Sequence, residues 1–488
     1  MVVTLLRLGF KLLLGSAFIV SALLLAWAFE SRNMPALQSW HTTQLKSEFR
    51  AEDLNESYQI VDYLTQEQRL FDELDREIYQ PQQDNGAMHY SRYRRSGPQD
   101  PAWPEQNWNR SFELIPDNIR GGALLLHGLT DSPYSMRKLA EILYTRGFYV
   151  LVLRMPGHGT IPAALTQVKW QDWQAASRLG ARHVRQRIGS ELPFFLGGYS
   201  NGGGLAVKYA LDALFDESLP MPEQLLLFSP EIGIAAVARF ANWYKMWGWI
   251  PYFAQSRWLG IQPEFDPFKY NSFPKNAAQQ AWAVTAALRV GMRRAHRAER
   301  LVDFPGILTF LSWTDATVHT SATIQRLYGR LDNLDSELVI FDVNRNAELT
   351  PFIPAANASP LLRLKADENL SYQLTVITNT SPGSLQLAQR TKAPFSNHVE
   401  TTPLPFIWPQ GVYSLSHVAI PFTPEDAVYG NGLTAENVYR GLSLGAMQPR
   451  GETRLLIAPL SQFMRLRHNP FFDYIEARIQ AEIDESLQ

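Results

Sequence analysis

LGGYSNGGG, residues 196–204, sets five glycines around a single serine, immediately after the apolar run PFFL. Two readings of this stretch compete. One is a flexible loop. The other is a strand that ends in a turn too tight for side chains and continues as a helix. The pentapeptide Gly198-Tyr199-Ser200-Asn201-Gly202 has the form G-x-S-x-G. The apolar run before it and the helix-prone GGLAVKYALDAL after it, residues 203–214, favour the second reading. In that setting Ser200 sits on a strained strand-to-helix turn with its hydroxyl exposed, and Gly198 and Gly202 remove side chains that would collide where strand and helix pass.

The segments on either side follow one pattern. ALLLH (123–127), FYVLVL (148–153), PFFLGG (193–198), QLLLFS (224–229), GILTFL (306–311) and ELVIFD (337–342) are short continuous apolar runs. That is the pattern of parallel strands buried on both faces. Longer amphipathic stretches lie between several of them, such as residues 136–147 and 168–189. Strand–helix alternation of this kind predicts an α/β fold with a doubly wound, mostly parallel sheet. Its ligands bind beyond the C-terminal ends of the strands.

Two gaps are too long for single helices. Residues 231–303 carry many aromatic side chains, among them Trp243, Trp247, Trp249, Trp258, Phe268 and Tyr270. Residues 344–412 are rich in Pro, Asn, Ser and Thr and contain one further strand-like run, YQLTVI (372–377). Structureless loops of such length are uncommon in a packed domain. Both are therefore expected to be inserted subdomains above the strand ends, the first an aromatic lid.

The chain has 488 residues, 45 Lys and Arg against 47 Asp and Glu, and no cysteine. A near-neutral balance argues against a nucleic-acid partner, because phosphate binding needs a basic surface. The lack of cysteine excludes disulfides, thiolate metal sites and a cysteine nucleophile. At the N-terminus, Arg7 and Lys11 precede an uncharged run from Leu12 to Phe29. Eighteen helical residues reach roughly 27 Å, close to the ~30 Å of a bilayer core. Two readings stay open: a retained membrane anchor, or a signal segment cleaved near Ala26-Trp27-Ala28. In both, the basic flank keeps the first residues cytoplasmic, and the body lies outside the cytoplasm, periplasmic or extracellular. The expected organisation is residues 1–30 as anchor or signal and 31–108 as helical linker and start of the body. Residues 109–488 form the α/β domain with its two insertions.

A serine nucleophile needs a base, and the base needs an orienting carboxylate. On a sheet of this kind the acid and then the histidine follow the serine along the chain. Asp315, in LSWTDATV, stands just past a predicted strand end on the side of Ser200. The competing role for it is the N-cap of the helix-prone TSATIQRLYGRL. Glu231, in SPEIG, is the main rival acid, and Asp303 and Asp342 are weaker candidates. Of the later histidines, His319 precedes the last predicted strand and His468 falls in a predicted terminal helix. His398 and His417 remain. His417, where the chain leaves the second insertion, is the preferred base. The oxyanion donors are expected to be the backbone N–H groups of Leu129, in LLLHGLTDSP, and Asn201, the residue after the serine. His127 and His158 read as structural hydrogen-bonding and packing residues.

The ordered set LLLHGLTDSPYS, RMPGHGT, VKWQDW, GYSNGG and SWTDATV resembles the α/β-hydrolase superfamily, and within it the serine aminopeptidase S33 and monoacylglycerol lipase-like group. The resemblance spans roughly residues 110–342. It implies Ser200 as nucleophile, Asp315 as acid, a downstream histidine as base, and ester or amide hydrolysis through an acyl-enzyme without metal or organic cofactor. The insertion before the histidine and the apolar N-terminus depart from the compact family pattern. Proximity to a membrane and an aromatic lid point to a lipid-like ester such as a monoglyceride or lysophospholipid. Acyl transfer, thioester cleavage and peptide cleavage would use the same triad. A membrane-tethered module without catalysis is the non-enzymatic alternative.

Overall fold

The computed structural model describes residues 34–82, 90–102, 106–233, 251–331, 333–346, 370–432, 441–447, 449–450 and 460–488, with isolated positions between 7 and 22 and at 360. Most of the N-terminal apolar run, and the tryptophans Trp243, Trp247 and Trp249, lie outside the described residues. Among the described residues no helix is long and apolar enough to cross a membrane.

After short helical turns at Ser39–Thr42 and Ala51–Asp53, the chain forms α1 (Ile60–Leu74) and then builds the strands β1 (Phe112–Leu114), β2 (Gly121–Leu126), β3 (Phe148–Leu153), β4 (Phe194–Tyr199) and β5 (Gln224–Phe228). Between them run α2 (Arg137–Thr145), α3 (Trp170–Ile188) and α4 (Asn201–Ala213). A short ribbon, β6 (Trp258–Gly260) with β7 (Phe273–Pro274), leads into α5 (Lys275–Arg297). The sheet resumes with β8 (Gly306–Ser312), β9 (Glu337–Phe341), β10 (Gln373–Asn379), β11 (Gln386–Lys392) and β12 (Val399–Ile407), and the chain closes with α6 (Phe472–Ser486).

Ten of these strands form one sheet in the order β1-β3-β2-β4-β5-β8-β9-β10-β11-β12. The seven from β3 to β10 in that order run parallel, while β1, β11 and β12 are antiparallel to their neighbours. Strands β2, β3, β4, β5, β8 and β9 are buried at every position. That is why their sequences lack polar alternation. On one face α3, α4 and α5 supply Trp173, Leu179, Leu205, Leu211, Val284 and Leu288 to the core. On the other, α2 and α6 supply Leu139, Leu143, Ile475, Ile479 and Ile483. Burying a side chain of this size is worth about 1.5–3 kcal/mol.

The second long gap differs from its expectation. The strand predicted over 372–377 is present as β10, but it does not stand above the strand ends. Its residues Gln373–Ile377 pair in parallel register with Glu337–Phe341, and β11 and β12 continue the same sheet as an antiparallel meander. The outer strand β12 is largely exposed and carries Pro403 and Pro405. Proline lacks the N–H needed for further pairing, so it blunts this edge against another strand.

Residues 40–82 are bound tightly to the body. Phe49, Ile60 and Tyr63 belong to the main core. Arg154, which follows β3, is buried between Glu48 (2.9 Å) and Glu67 (3.1 Å). Its backbone carbonyl also accepts the Tyr63 hydroxyl at 2.5 Å. Removing one member of such a buried ion cluster leaves the others uncompensated, at a cost of about 3–5 kcal/mol.

Candidate active site

Strand β4 ends at Tyr199 and α4 begins at Asn201, so Ser200 alone makes the turn, with φ 55° and ψ −118°. A non-glycine residue at positive φ is strained by about 1–3 kcal/mol and persists only where its surroundings fix it. Here the Ser200 N–H donates to the Phe228 carbonyl at 2.9 Å. The Ser200 carbonyl accepts the N–H groups of Gly204 (3.1 Å) and Glu231 (2.9 Å). The flanking glycines are sterically required. A Cβ on Gly198 would lie 2.4 Å from the Gly202 backbone, and one on Gly202 would lie 2.1 Å from the Leu126 carbonyl oxygen.

Asp315 and His417 meet across 102 residues of sequence. The Asp315 Oδ2 accepts from His417 Nδ1 at 2.7 Å, with both side chains almost wholly buried. The Asp315 Oδ1 accepts the N–H groups of Thr317 (2.8 Å) and Val318 (2.9 Å). The N-cap alternative for Asp315 fails, because the helical turn starts only at Thr320 and its N-cap position is occupied by His319. Burial pushes the Asp315 carboxyl up. The positive field and hydrogen bond of His417, with the two backbone donors, more than offset this and hold it below its ordinary value. His417 opens a short 3-10 turn, and its ring lies 5.2 Å from that of Tyr199, the residue before the serine.

The rival groups are placed elsewhere or engaged otherwise. His398 is exposed in the β11–β12 turn. The register Lys392 with Val399, Lys392 with Leu374 and Leu374 with Leu338 puts that turn at the N-terminal ends of the parallel strands, opposite Ser200. His468 precedes α6 rather than lying within it, and its Nδ1 is 3.3 Å from the Tyr429 carbonyl. Asp303 makes an exposed pair with Arg300, and Asp342 is buried against Arg345 and Thr378. Glu231 is buried next to the elbow, and burial pushes its carboxyl up to about 8. Among the described residues no hydrogen bond or ion pair joins Glu231 to His417, whose Nδ1 is taken by Asp315.

The Met155 N–H donates to His127 Nε2 at 2.9 Å, so the proton sits on Nδ1, which donates to the Gly128 carbonyl at 2.9 Å. Burial, and then His158, push His127 well below its ordinary pKa. His158 packs on His127 and Trp173, and burial pushes it down to about 4. Both act as structural residues, as expected. The Leu129 N–H lies in the loop after β2 and the Asn201 N–H at the first turn of α4. Among the described residues neither is taken by a hydrogen bond within the chain. Among the described residues no group of three or more His, Asp or Glu is arranged to hold a metal ion.

A cavity of about 220 Å³ opens beside these residues. Neither Ser200 nor His417 lines it, but their neighbours Tyr199 and Val418 do, together with Thr130, the residue after Leu129. Its remaining wall includes Asp131, Asp266, Lys269, Arg465 and Arg467. These charged residues carry no sequence signal, because separate loops bring them together. Several aromatics of the first insertion have their own packing partners. Phe268 stacks on Tyr134 at 3.8 Å, and Trp258 packs edge-on to His41.

Residues 117–344 match the family model described as serine aminopeptidase, S33. This agrees with the span over which the sequence motifs carry the resemblance. A thermostable monoacylglycerol lipase from Bacillus sp. (strain H-257) is 37% identical over 89 residues, which span 18% of this chain and 34% of that lipase. Among solved structures, a Paleococcus ferrophilus monoacylglycerol lipase aligns at 18% identity and TM-score 0.35, over 48% of this chain and 88% of that one. A soluble variant of monoglyceride lipase from Saccharomyces cerevisiae, in complex with a substrate analogue, aligns at 13% identity and TM-score 0.35, over 48% and 82%. The chain's mostly parallel sheet with helices on both faces is an α/β fold, and its resemblance is to the S33 family over residues 117–344 and to the monoacylglycerol lipase over 89 residues.

Proposed function

We propose that this chain, with its S33-type α/β-hydrolase domain, is a serine hydrolase that cleaves carboxylic esters through an acyl-enzyme on Ser200. The observation that carries the proposal is the buried 2.7 Å hydrogen bond from His417 to Asp315, at the same sheet end as the strained Ser200 turn. Held by Asp315, His417 keeps its proton on Nδ1 and offers Nε2 as base. The Ser200 hydroxyl passes its proton to Nε2 as its oxygen attacks the ester carbonyl. The resulting oxyanion is stabilised by the N–H groups of Leu129 and Asn201, each worth on the order of 10²–10³ in rate. The carbon–oxygen bond to the alcohol then breaks, and the alcohol leaves with the proton from His417. Water repeats the sequence in reverse, with His417 as base, and frees the acid and Ser200.

The substrate class we favour is a lipid-like ester, a monoglyceride or lysophospholipid. The monoacylglycerol lipase relative and the apolar run Leu12–Phe29 support it. That run would tether the body to a membrane on its non-cytoplasmic side. A series of p-nitrophenyl esters from acetate to palmitate, with Ser200→Ala beside the wild type, tests the reading. Turnover that rises with acyl length and vanishes in the variant is expected. Turnover retained in Ser200→Ala would refute it.

A further inference from the structure

The cavity beside the triad is lined by three cations and two anions, and the pairing among them is uneven. Lys269 Nζ lies 3.2 Å from Asp131 Oδ1, and Arg467 lies 3.8 Å from Asp266 Oδ2. Asp266 is further engaged by the Tyr429 hydroxyl at 2.6 Å. Arg465 is left over. Among the described residues it has no carboxylate partner, and it donates to the Thr317 hydroxyl at 3.1 Å. Thr317 sits on the loop whose Asp315 holds His417, so the surplus charge stands at the mouth of the site. A guanidinium in a concave, partly desolvated wall lined by fixed dipoles attracts anions far more strongly than one on an open surface.

We infer that this cavity is a subsite for an anionic group of the substrate, a phosphate or carboxylate, with Arg465 as its principal ligand and Lys269 and Arg467 as flanking cations. The inference rests on the serine-hydrolase reading and narrows its substrate class to esters that carry a negative charge, away from the uncharged monoglyceride. Arg465 is suited to this because its planar fork matches two oxygens of a carboxylate or phosphate. Asp131 does little to oppose the anion. Burial raises its carboxyl, and Lys269 already neutralises much of its charge.

The test is equilibrium binding of non-hydrolysable probes to the full chain by calorimetry: 1-octylglycerol, 1-octylglycerol 3-phosphate and decanedioate. Charge-assisted hydrogen bonds predict that at least one anionic probe binds about tenfold to a hundredfold more tightly than the neutral one. The anion that binds better identifies the headgroup chemistry. Arg465→Gln should collapse that preference, Arg465→Lys should keep part of it, and added salt should weaken it in the wild type. Equal binding of all three probes would overturn the inference. So would a uniform loss in Arg465→Gln, which would mark Arg465 as a support for the Thr317 loop alone. Binding does not need a working nucleophile, so an inactive Ser200 would sink the hydrolase reading while leaving this result separately readable.

Discussion

Asp315→Asn isolates what the carboxylate does. Its Oδ1 serves two backbone donors, and its Oδ2 accepts from His417 Nδ1 at 2.7 Å. Asparagine has one acceptor oxygen and one amide. Turning the oxygen toward His417 would leave the Thr317 and Val318 N–H groups facing an N–H donor, at about 1–3 kcal/mol for each unsatisfied group. The loop therefore keeps the oxygen, and the amide faces His417. The imidazole must then accept at Nδ1 and carry its proton on Nε2, where it cannot take the proton of Ser200. The expected fall in kcat is about 10⁴-fold, or about 5.5 kcal/mol at roughly 1.36 kcal/mol per tenfold. Stability should change by only about 1 kcal/mol, because the shape and hydrogen-bond count are kept. Hydrolysis of p-nitrophenyl butyrate, read beside a thermal melt, separates the two effects. Activity within about tenfold of wild type, at an unchanged melting temperature, would refute the role of Asp315 as the orienting acid.

Three further outcomes follow from the same geometry. His417→Ala should lose activity by several orders of magnitude while His398→Ala retains it, since His398 lies at the far end of the sheet; the reverse pattern in the ester assay would move the base. Gly202→Ala should destabilise the fold by about 3 kcal/mol or more, because its Cβ would stand 2.1 Å from the Leu126 carbonyl oxygen, and an unshifted denaturation midpoint would contradict this. Glu231 is an acid whose folded pKa is raised to about 8. Its contribution to stability is complete below its unfolded value, 4.5, and is lost as pH rises toward about 8. Glu231→Gln should therefore gain on the wild type across that window, by on the order of a few kcal/mol, with a constant gap above it. A gap independent of pH would show that Glu231 is charged in the fold.

The strands of the parallel sheet were legible because burial on both faces writes them as unbroken apolar runs. The turn at Ser200 was legible because steric crowding there admits only glycine on either side. Asp315 and His417 could be nominated from their order along the chain, but not paired, because 102 residues separate them. The fate of β10 was hidden for a related reason. A run such as YQLTVI announces a strand without announcing its neighbour, and the exposed β12 with its two prolines carries no apolar signature. The cluster of Arg154, Glu48 and Glu67 was also hidden, since buried charges look like surface charges until their partners are known. The same is true of Arg465 and the cavity it faces.

The central claim is that Ser200 is an activated nucleophile. Labelling of the full chain by a fluorophosphonate probe, with Ser200→Ala in parallel, tests it most directly, since such a probe reacts with serines that a base has activated. The account predicts one labelled serine in the wild type and none in the variant. A folded wild type that stays unlabelled, or a variant labelled equally well, would contradict it.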